Sequence, residues 1–169
     1  MNKSHSLLVS VFCVSASMPI MAQAQTISAS SNVTYVRVGT NFDVNVSASG
    51  FGGLSSPSLG AYDFNLIYGS AFASLNNVNF TPNLSSDPMF SISAFDSSNA
   101  GTVNVFEVSL QSAAALNAAQ PASFSLATLT FTANNVGSFN VGINGLAFAD
   151  ADGVALTPTL NGTTIFMVD

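Results

Sequence analysis

The stretch that decides the fold is Leu59-Gly-Ala-Tyr-Asp-Phe-Asn-Leu-Ile-Tyr68. Successive side chains of an extended strand point to opposite faces, so this stretch places its largest apolar residues on one side. These residues are Tyr62, Phe64, Leu66 and Tyr68. The other side carries Asp63 and Asn65, and Ile67 interrupts that polar face. The alternation predicts a half-buried central strand, with the other β segments packed around its aromatic face.

The same alternation recurs along the chain, between clusters of Gly, Pro, Asn and Ser that favour turns. Further strands are predicted at 26–28, 33–38, 41–49, 89–95, 102–110, 123–133, 139–143, 146–149 and 163–168. Residues 71–75 fit either a helical turn or the start of a strand that runs to 80. Residues 112–119 are rich in alanine and predict one or two helical turns that end before Pro121. The chain is therefore predicted to be all-β, an antiparallel β-sandwich of about nine strands with jelly-roll topology.

One of these strands, 102–110, carries a single negative charge among apolar residues. Its inner face is predicted to consist of Phe106, Val108 and Leu110. Glu107 lies between Phe106 and Val108, so the same pattern predicts that this carboxylate points away from them.

The amino terminus resembles an export signal. Lys3 supplies a positive charge, residues 6–21 are mostly apolar or small, and Ala22-Gln-Ala24 fits a cleavage site. The apolar run is too short and too rich in serine to predict a membrane span. Residues 1–24 are therefore predicted to be a signal peptide cleaved after Ala24, and 25–169 a single domain. The expected location is extracellular or periplasmic.

Removing that signal narrows the chemistry of the remaining domain. His5, Cys13 and Lys3 leave with it, and Arg37 becomes the only basic residue beside eight acids, for a net charge of −7. One cation cannot displace the counterions of a nucleic acid, so nucleic-acid binding is excluded. Nucleophilic catalysis that uses histidine or cysteine, and transition-metal sites built from those residues, are excluded too. Carboxylate binding of hard cations, carbohydrate contact and protein contact remain.

Four segments, taken in order, resemble the cohesin family. Val36 to Val46 is similar to its opening V-x-V-G-D-x-F-x-V-x-V strand pair, with Thr40 in place of the acid. The central stretch is similar to G-A-x-D-F-x-L-x-Y, and Leu126 to Phe131 to L-A-T-L-x-F. Ala149 to Gly153, with Asn161 to Ile165, is similar to the closing D-x-D-G … N-G-x-I region.

The resemblance implies a nine-stranded jelly-roll sandwich without catalytic activity. In cellulosome scaffolds such domains bind dockerin modules, which carry the calcium themselves. The expected function is thus an exported, non-catalytic cohesin-like module for protein–protein interaction or adhesion, with a dockerin-like protein as partner. The alternative, from a different class, is a carbohydrate-binding module that binds polysaccharide. No cofactor is expected, apart from the calcium considered next.

Asp150-Ala-Asp152 followed by Gly153 is the sharpest local motif. Two carboxylates at this spacing, followed by glycine, match half of a calcium-binding loop. The alternative is a tight turn, because Asp-Gly sequences tolerate positive φ. The sequence leaves calcium at Asp150 and Asp152 as a candidate metal site.

Three other acids and the one cation could each have a functional role or an ordinary structural one. Asp43 and Asp63 are predicted on outward faces, where a solvated sheet explains them as well as a sugar or partner contact. Glu107 could pair with Asp63 or Asp43 as a glycosidase dyad, which is the third hypothesis. Arg37 is expected to pair with a nearby acid or to cap an edge strand.

The three tyrosines could form a stacking platform for sugar rings. Tyr62 and Tyr68, however, share the predicted inner face with Phe64 and Leu66, which favours core packing for both.

Overall fold

The computed structural model describes residues 24–52, 57–84 and 90–169. The predicted signal peptide lies outside the described residues, except for Ala24. Within these ranges there are eleven strands and one helix. They are β1 (Thr26–Ser30), β2 (Tyr35–Arg37), β3 (Asn41–Ser49), β4 (Leu59–Tyr68), β5 (Ala73–Phe80), β6 (Ser91–Asp96), β7 (Thr102–Ser109), α1 (Ala113–Ala119), β8 (Ser123–Ala133), β9 (Gly137–Asp150), β10 (Thr159–Asn161) and β11 (Thr163–Val168).

The described strands form two sheets that pack as a sandwich. The five-stranded sheet has the order β10-β1-β3-β8-β5, and the six-stranded sheet has the order β2-β11-β9-β4-β7-β6. Strand β4 is the central stretch of the sequence, and it pairs antiparallel with both β9 and β7. Two pairs at the sheet edges, β1 with β10 and β11 with β2, are parallel. The predicted all-β jelly-roll sandwich is confirmed, with eleven strands where about nine were expected.

The core lies between the sheets and is built from the inner positions of the alternating strands. Its aromatic centre joins both layers. The ring of Phe131 on β8 lies 5.3 Å from that of Phe139 on β9 and 5.1 Å from that of Tyr68 on β4. Phe42 on β3 meets Phe139 edge-on at 5.4 Å. Edge-to-face packing is a favoured arrangement for aromatic rings, so these contacts set how the sheets face each other.

At the start of β4, a side chain takes the place of β7, because the pairing with β7 begins only at Ala61. Gln120, which is buried after the end of α1, accepts a hydrogen bond from the Leu59 N–H at 2.6 Å and donates to the Leu59 carbonyl at 2.9 Å. The next residue, Gly60, lies against the backbone of Asp150, and a methyl group there would overlap the Asp150 carbonyl oxygen. The first residue of the central strand therefore depends on the side-chain amide of Gln120, and the second position requires glycine.

Most of the predicted elements are found, and two differ. The pieces expected at 139–143 and 146–149 form one strand, β9, because a register irregularity opposite Asp63 and Phe64 absorbs the break in alternation. Strand β10 was not predicted. It is only three residues long and pairs in parallel with β1, so its own sequence carries little alternation.

The predicted inner face of β7 is wrong. Its buried residues are Val103, Val105 and Glu107, while Val108 is exposed. The cause is the pairing with β4, which places Val105 opposite Phe64 and Glu107 opposite Tyr62. Residues that oppose each other across a ladder point to the same face, so the buried face of β4 fixes that of β7.

Candidate binding face

The outer face of the six-stranded sheet carries an exposed apolar patch. Ile92 on β6 pairs with Val108 on β7, and Val108 pairs in turn with Ala61 on β4. Ile92 is 56% exposed and Val108 is 43% exposed. The outer patch, as we define it, consists of Ala61, Ile92, Phe106, Val108, Ala147 and Ala149. Most of these residues line a depression of about 210 Å³ on this face.

Asp63 lies within that depression and is held in place by amides. Its Oδ1 accepts a hydrogen bond from Asn104 Nδ2 at 2.7 Å, and the same Nδ2 lies 3.2 Å from Asn65 Oδ1. Among the residues that the structure describes, no cation pairs with Asp63. The predicted outward position of Asp63 is confirmed, and it gives the patch one fixed negative charge beside its apolar surface.

Glu107 lies behind the patch, inside the sandwich, and is 2% exposed. The Tyr62 hydroxyl donates a hydrogen bond to Glu107 Oε2 at 2.9 Å. Burial raises the pKa of Glu107, while hydrogen bonds from Tyr62 and Ser91 act against that rise. Burial also raises the pKa of Tyr62, and the nearby Glu107 charge raises it further, so this phenol stays a donor. Glu107 is thus a buried acid rather than the outward one that the sequence predicts.

These positions separate the carboxylates of the glycosidase hypothesis. Asp63 is on the outer face of the six-stranded sheet, and Glu107 is inside the sandwich. Asp43 is on the outer face of the other sheet, where it accepts a hydrogen bond from Thr130 Oγ1 at 2.7 Å. A hydrolytic pair must flank one bond from within a single cleft. Neither predicted pair has that arrangement, so the dyad is wrong.

Asp150 is the last residue of β9, and Asp152 lies in the turn that follows. Asp150 Oδ1 accepts hydrogen bonds from the backbone N–H groups of Asp152 at 2.9 Å and Val154 at 2.8 Å. The turn closes through Gly153, whose φ is +81°. Among the described residues, no group of three or more acidic, histidine or cysteine side chains could hold a metal ion. Calcium at these two residues stays a prediction. The hydrogen bonds of the tight turn use one of the two carboxylate oxygens of Asp150.

The outer face of the five-stranded sheet has a different character. Its side-chain polar groups pair with each other across β3 and β8, as in the Thr132 Oγ1 to Asn41 Oδ1 bond of 2.7 Å. The Ser125 hydroxyl likewise donates to Asn45 Oδ1. Hydroxyls and amides that satisfy each other need no partner. Of the two outer faces, the six-stranded one is therefore the stronger candidate for binding.

The tyrosines do not form a common platform. Tyr62 and Tyr68 pack in the core, as the sequence favours. Tyr35 is on edge strand β2, is 67% exposed, and stacks on Phe166 of β11. Arg37 is on the same edge strand and, in the described part of the chain, forms no ion pair. The expectation of an edge-strand position for Arg37 is met, and that of an acid partner is not.

Comparisons with known proteins give different results for sequence and for structure. No protein-family model matches the sequence, and no curated protein matches it significantly. Solved structures do match, with coverage of nearly the whole domain. A cohesin module from a family 33 glycoside hydrolase of Clostridium perfringens has a TM-score of 0.68 at 14% identity, covering 85% of this chain and 96% of that one.

Two further matches are a cohesin from outside the cellulosome and a cohesin in complex with a dockerin. A non-cellulosomal cohesin from the archaeon Archaeoglobus fulgidus has a TM-score of 0.65 at 15% identity, covering 87% of this chain and 93% of that one. The fold is a cohesin fold. A type I cohesin–dockerin complex from Clostridium thermocellum also matches, with a TM-score of 0.65, 15% identity and coverage of 85% and 99%.

The cohesin fold explains the order of the four sequence motifs. The first motif spans β2 and β3, the second is β4, the third lies in β8, and the last surrounds the turn and the start of β11. At these identities the likeness carries the architecture and not the partner. No helix in the described residues is long and apolar enough to cross a membrane.

Proposed function

We propose that this chain is an exported, non-catalytic interaction module that binds a protein partner through the outer face of its six-stranded sheet. The observation that carries the proposal is the outer patch. Ile92 and Val108 are large aliphatic side chains that stay about half exposed on a regular sheet. Apolar clusters on a protein surface usually mark a binding site.

The partner has a definable chemistry. A surface that docks on the patch must present its own apolar side chains, because Ile92, Val108 and the alanines offer few hydrogen bonds. It must also present a donor to Asp63, whose carboxylate would otherwise be buried with only the Asn104 amide as partner. A dockerin-like module with an apolar ridge and a nearby Lys, Arg or hydroxyl would meet both conditions. The cohesin–dockerin complex among the matches supports this class of partner.

The lack of catalysis in the proposal follows from the chemistry of the site. The depression at the outer patch is lined by a single carboxylate, that of Asp63, and Glu107 lies on the inner side of the sheet. General acid–base catalysis needs a pair of groups that reach the same substrate. A surface of this kind is suited to contact alone.

The test is direct binding to purified dockerin modules, measured by calorimetry with calcium present. Val108→Asp places a charge at the centre of the outer patch and should weaken binding by at least about 100-fold, since a buried unpaired charge costs several kcal/mol. Ser74→Asp is the matched control, because Ser74 is exposed on β5 of the other sheet. If the Val108→Asp variant binds as tightly as the Ser74→Asp variant, the interface does not include the outer patch. Failure of every dockerin module to bind would reject that class of partner.

A further inference from the structure

A second surface feature lies at the far edge of the six-stranded sheet, away from the outer patch. Tyr35 on β2 and Phe166 on β11 stack with their ring centroids 5.7 Å apart and their planes at 29°. Both rings remain exposed, Tyr35 by 67% and Phe166 by 43%. Stacking limits the rotation of the Tyr35 ring. The pair therefore presents a held, flat aromatic surface to solvent.

Polar groups without a complete set of partners adjoin this surface. Tyr35, Arg37 and Asp43 line one groove of about 380 Å³, together with the exposed amides Asn32 and Asn41. Among the described residues, the Arg37 guanidinium has no hydrogen-bond or ion-pair partner, so its five N–H donors are available. Asp43 uses Oδ1 to accept from Thr130, which leaves Oδ2 as a free acceptor.

We propose that this groove binds a neutral saccharide, with one hexopyranose ring lying on Tyr35. The C–H face of such a ring is apolar and flat, whereas its rim carries hydroxyls that both donate and accept. Tyr35 supplies the surface for that face, Arg37 donates to the rim and Asp43 accepts from it. A small ligand site typically combines an apolar wall with a few polar groups of this kind.

The charges in the groove select against anionic sugars. Arg37 and Asp43 cancel each other within the groove. The domain as a whole carries a net charge of −7, which repels uronates and sulfated sugars. Hydroxyls, in contrast, pair with both a guanidinium and a carboxylate. The ligand is accordingly assigned as a neutral hexose unit, in a glycan distinct from the protein partner of the outer patch.

The test is a titration with hexasaccharides of glucose, mannose and galactose, and with hexagalacturonate as the charged comparison. The protein has no tryptophan, and Tyr62 and Tyr68 are packed in the core. A sugar that covers Tyr35 should therefore change tyrosine fluorescence, and calorimetry should give the affinity. We expect at least one neutral hexasaccharide to bind at concentrations up to about 10 mM, the range of weak small-ligand sites.

Two substitutions at one position locate the site. Tyr35→Ala should weaken binding by at least about tenfold, or 1.4 kcal/mol. Tyr35→Phe keeps the stacking surface and should retain the affinity while losing most of the fluorescence change. Circular dichroism of both variants checks the fold. Arg37→Gln should also weaken binding, since it removes the charged donor.

Each contrary result has a definite meaning. The proposal is overturned if no neutral hexasaccharide binds, if hexagalacturonate binds more tightly, or if Tyr35→Ala binds as well as Tyr35→Phe. Val108→Asp separates this proposal from the protein-binding one, because it should leave saccharide affinity unchanged. Loss of saccharide affinity in Val108→Asp would move the sugar to the outer patch and overturn the assignment to Tyr35.

Discussion

At the scale of single residues, Glu107 is an acid buried between the two sheets. The run Val103-Asn-Val-Phe-Glu-Val108 contains two apolar alternations of opposite phase, and its apolar residues alone do not decide between them. Charge favours an outward Glu107, because an acid is rarely buried. The pairing with β4 instead turns Glu107 inward, because Tyr62 and Phe64 of the buried face of β4 lie opposite Glu107 and Val105. The Tyr62 hydroxyl then makes burial tolerable by donating to the carboxylate.

This buried acid should make stability depend on pH. Burial raises the pKa of Glu107 above its ordinary value of 4.5, so between the two values the folded state binds more protons than the unfolded state. The free energy of unfolding must then fall as the pH rises through that window. Glu107→Gln cannot ionise and should remove this fall. Thermal melting from pH 4.5 upward checks it, and equal slopes for both proteins would contradict the assignment.

Gln120 makes a second prediction at this scale. Gln120→Ala leaves the N–H and the carbonyl of buried Leu59 without their partner, at a cost of about 1–3 kcal/mol for each unsatisfied group. Gln120→Met keeps the length of the side chain but not its polar atoms, so it separates hydrogen bonding from packing. Chemical denaturation should show both variants strongly destabilised. A mild loss in Gln120→Met alone would assign the role of Gln120 to packing.

At the scale of the elements, the sequence predicts strands that alternate regularly over many residues. Strand β8 runs over 123–133 as predicted, and β3 and α1 are found close to their predicted bounds. The sequence predicts two strands in place of β9 because Gly145 and Leu146 break the alternation of apolar residues. Only the pairing with β4 shows that the ladder continues past the irregularity. The outer patch could not be predicted either, because it is assembled from β4, β6, β7 and β9, and its location depends on the strand order.

The turn after β9 is tested by treating its two acids separately. Asp150→Asn and Asp152→Asn each remove one charge. If calcium binds, millimolar calcium should raise the melting temperature of the wild type, and either substitution should reduce that rise. If the segment is only a turn, calcium should have no effect. Asp150→Ala should then cost about 1 kcal/mol through the lost backbone hydrogen bonds, and Asp152→Ala very little.

At the scale of the whole molecule, the composition of residues 25–169 limits the possible functions more firmly than any motif. A domain of 145 residues with a single arginine depends on core burial, hydroxyls and amides for stability and recognition. Both proposals use what that composition leaves: an apolar patch beside one carboxylate, and an aromatic surface beside a balanced pair of charges. Such general surfaces do not encode the identity of either partner, so the sequence leads to a proposed class of function and not to a ligand.

The predicted processing site, after Ala24, lies two residues before the first strand. Strand β1 begins at Thr26, and the Gln25 carbonyl accepts a hydrogen bond from Thr159 N–H at 2.9 Å. Cleavage after Ala24 would leave both in the domain. Intact-mass measurement of the exported protein should give a chain that starts at Gln25. Replacing Ala22 by a large residue should slow cleavage. An exported protein that retains His5 and Cys13 would contradict the signal peptide.

Strand β2 pairs, among the described strands, with β11 alone, although more than a hundred residues separate the two along the chain. Contacts between such distant segments form late, since a long loop must close first. A polypeptide emerging from the ribosome would therefore keep one layer of the sandwich incomplete until residues 163–168 had been synthesised. This delay would suit a chain threaded across a membrane before it folds, and it makes Thr163–Val168 the segment whose arrival completes assembly.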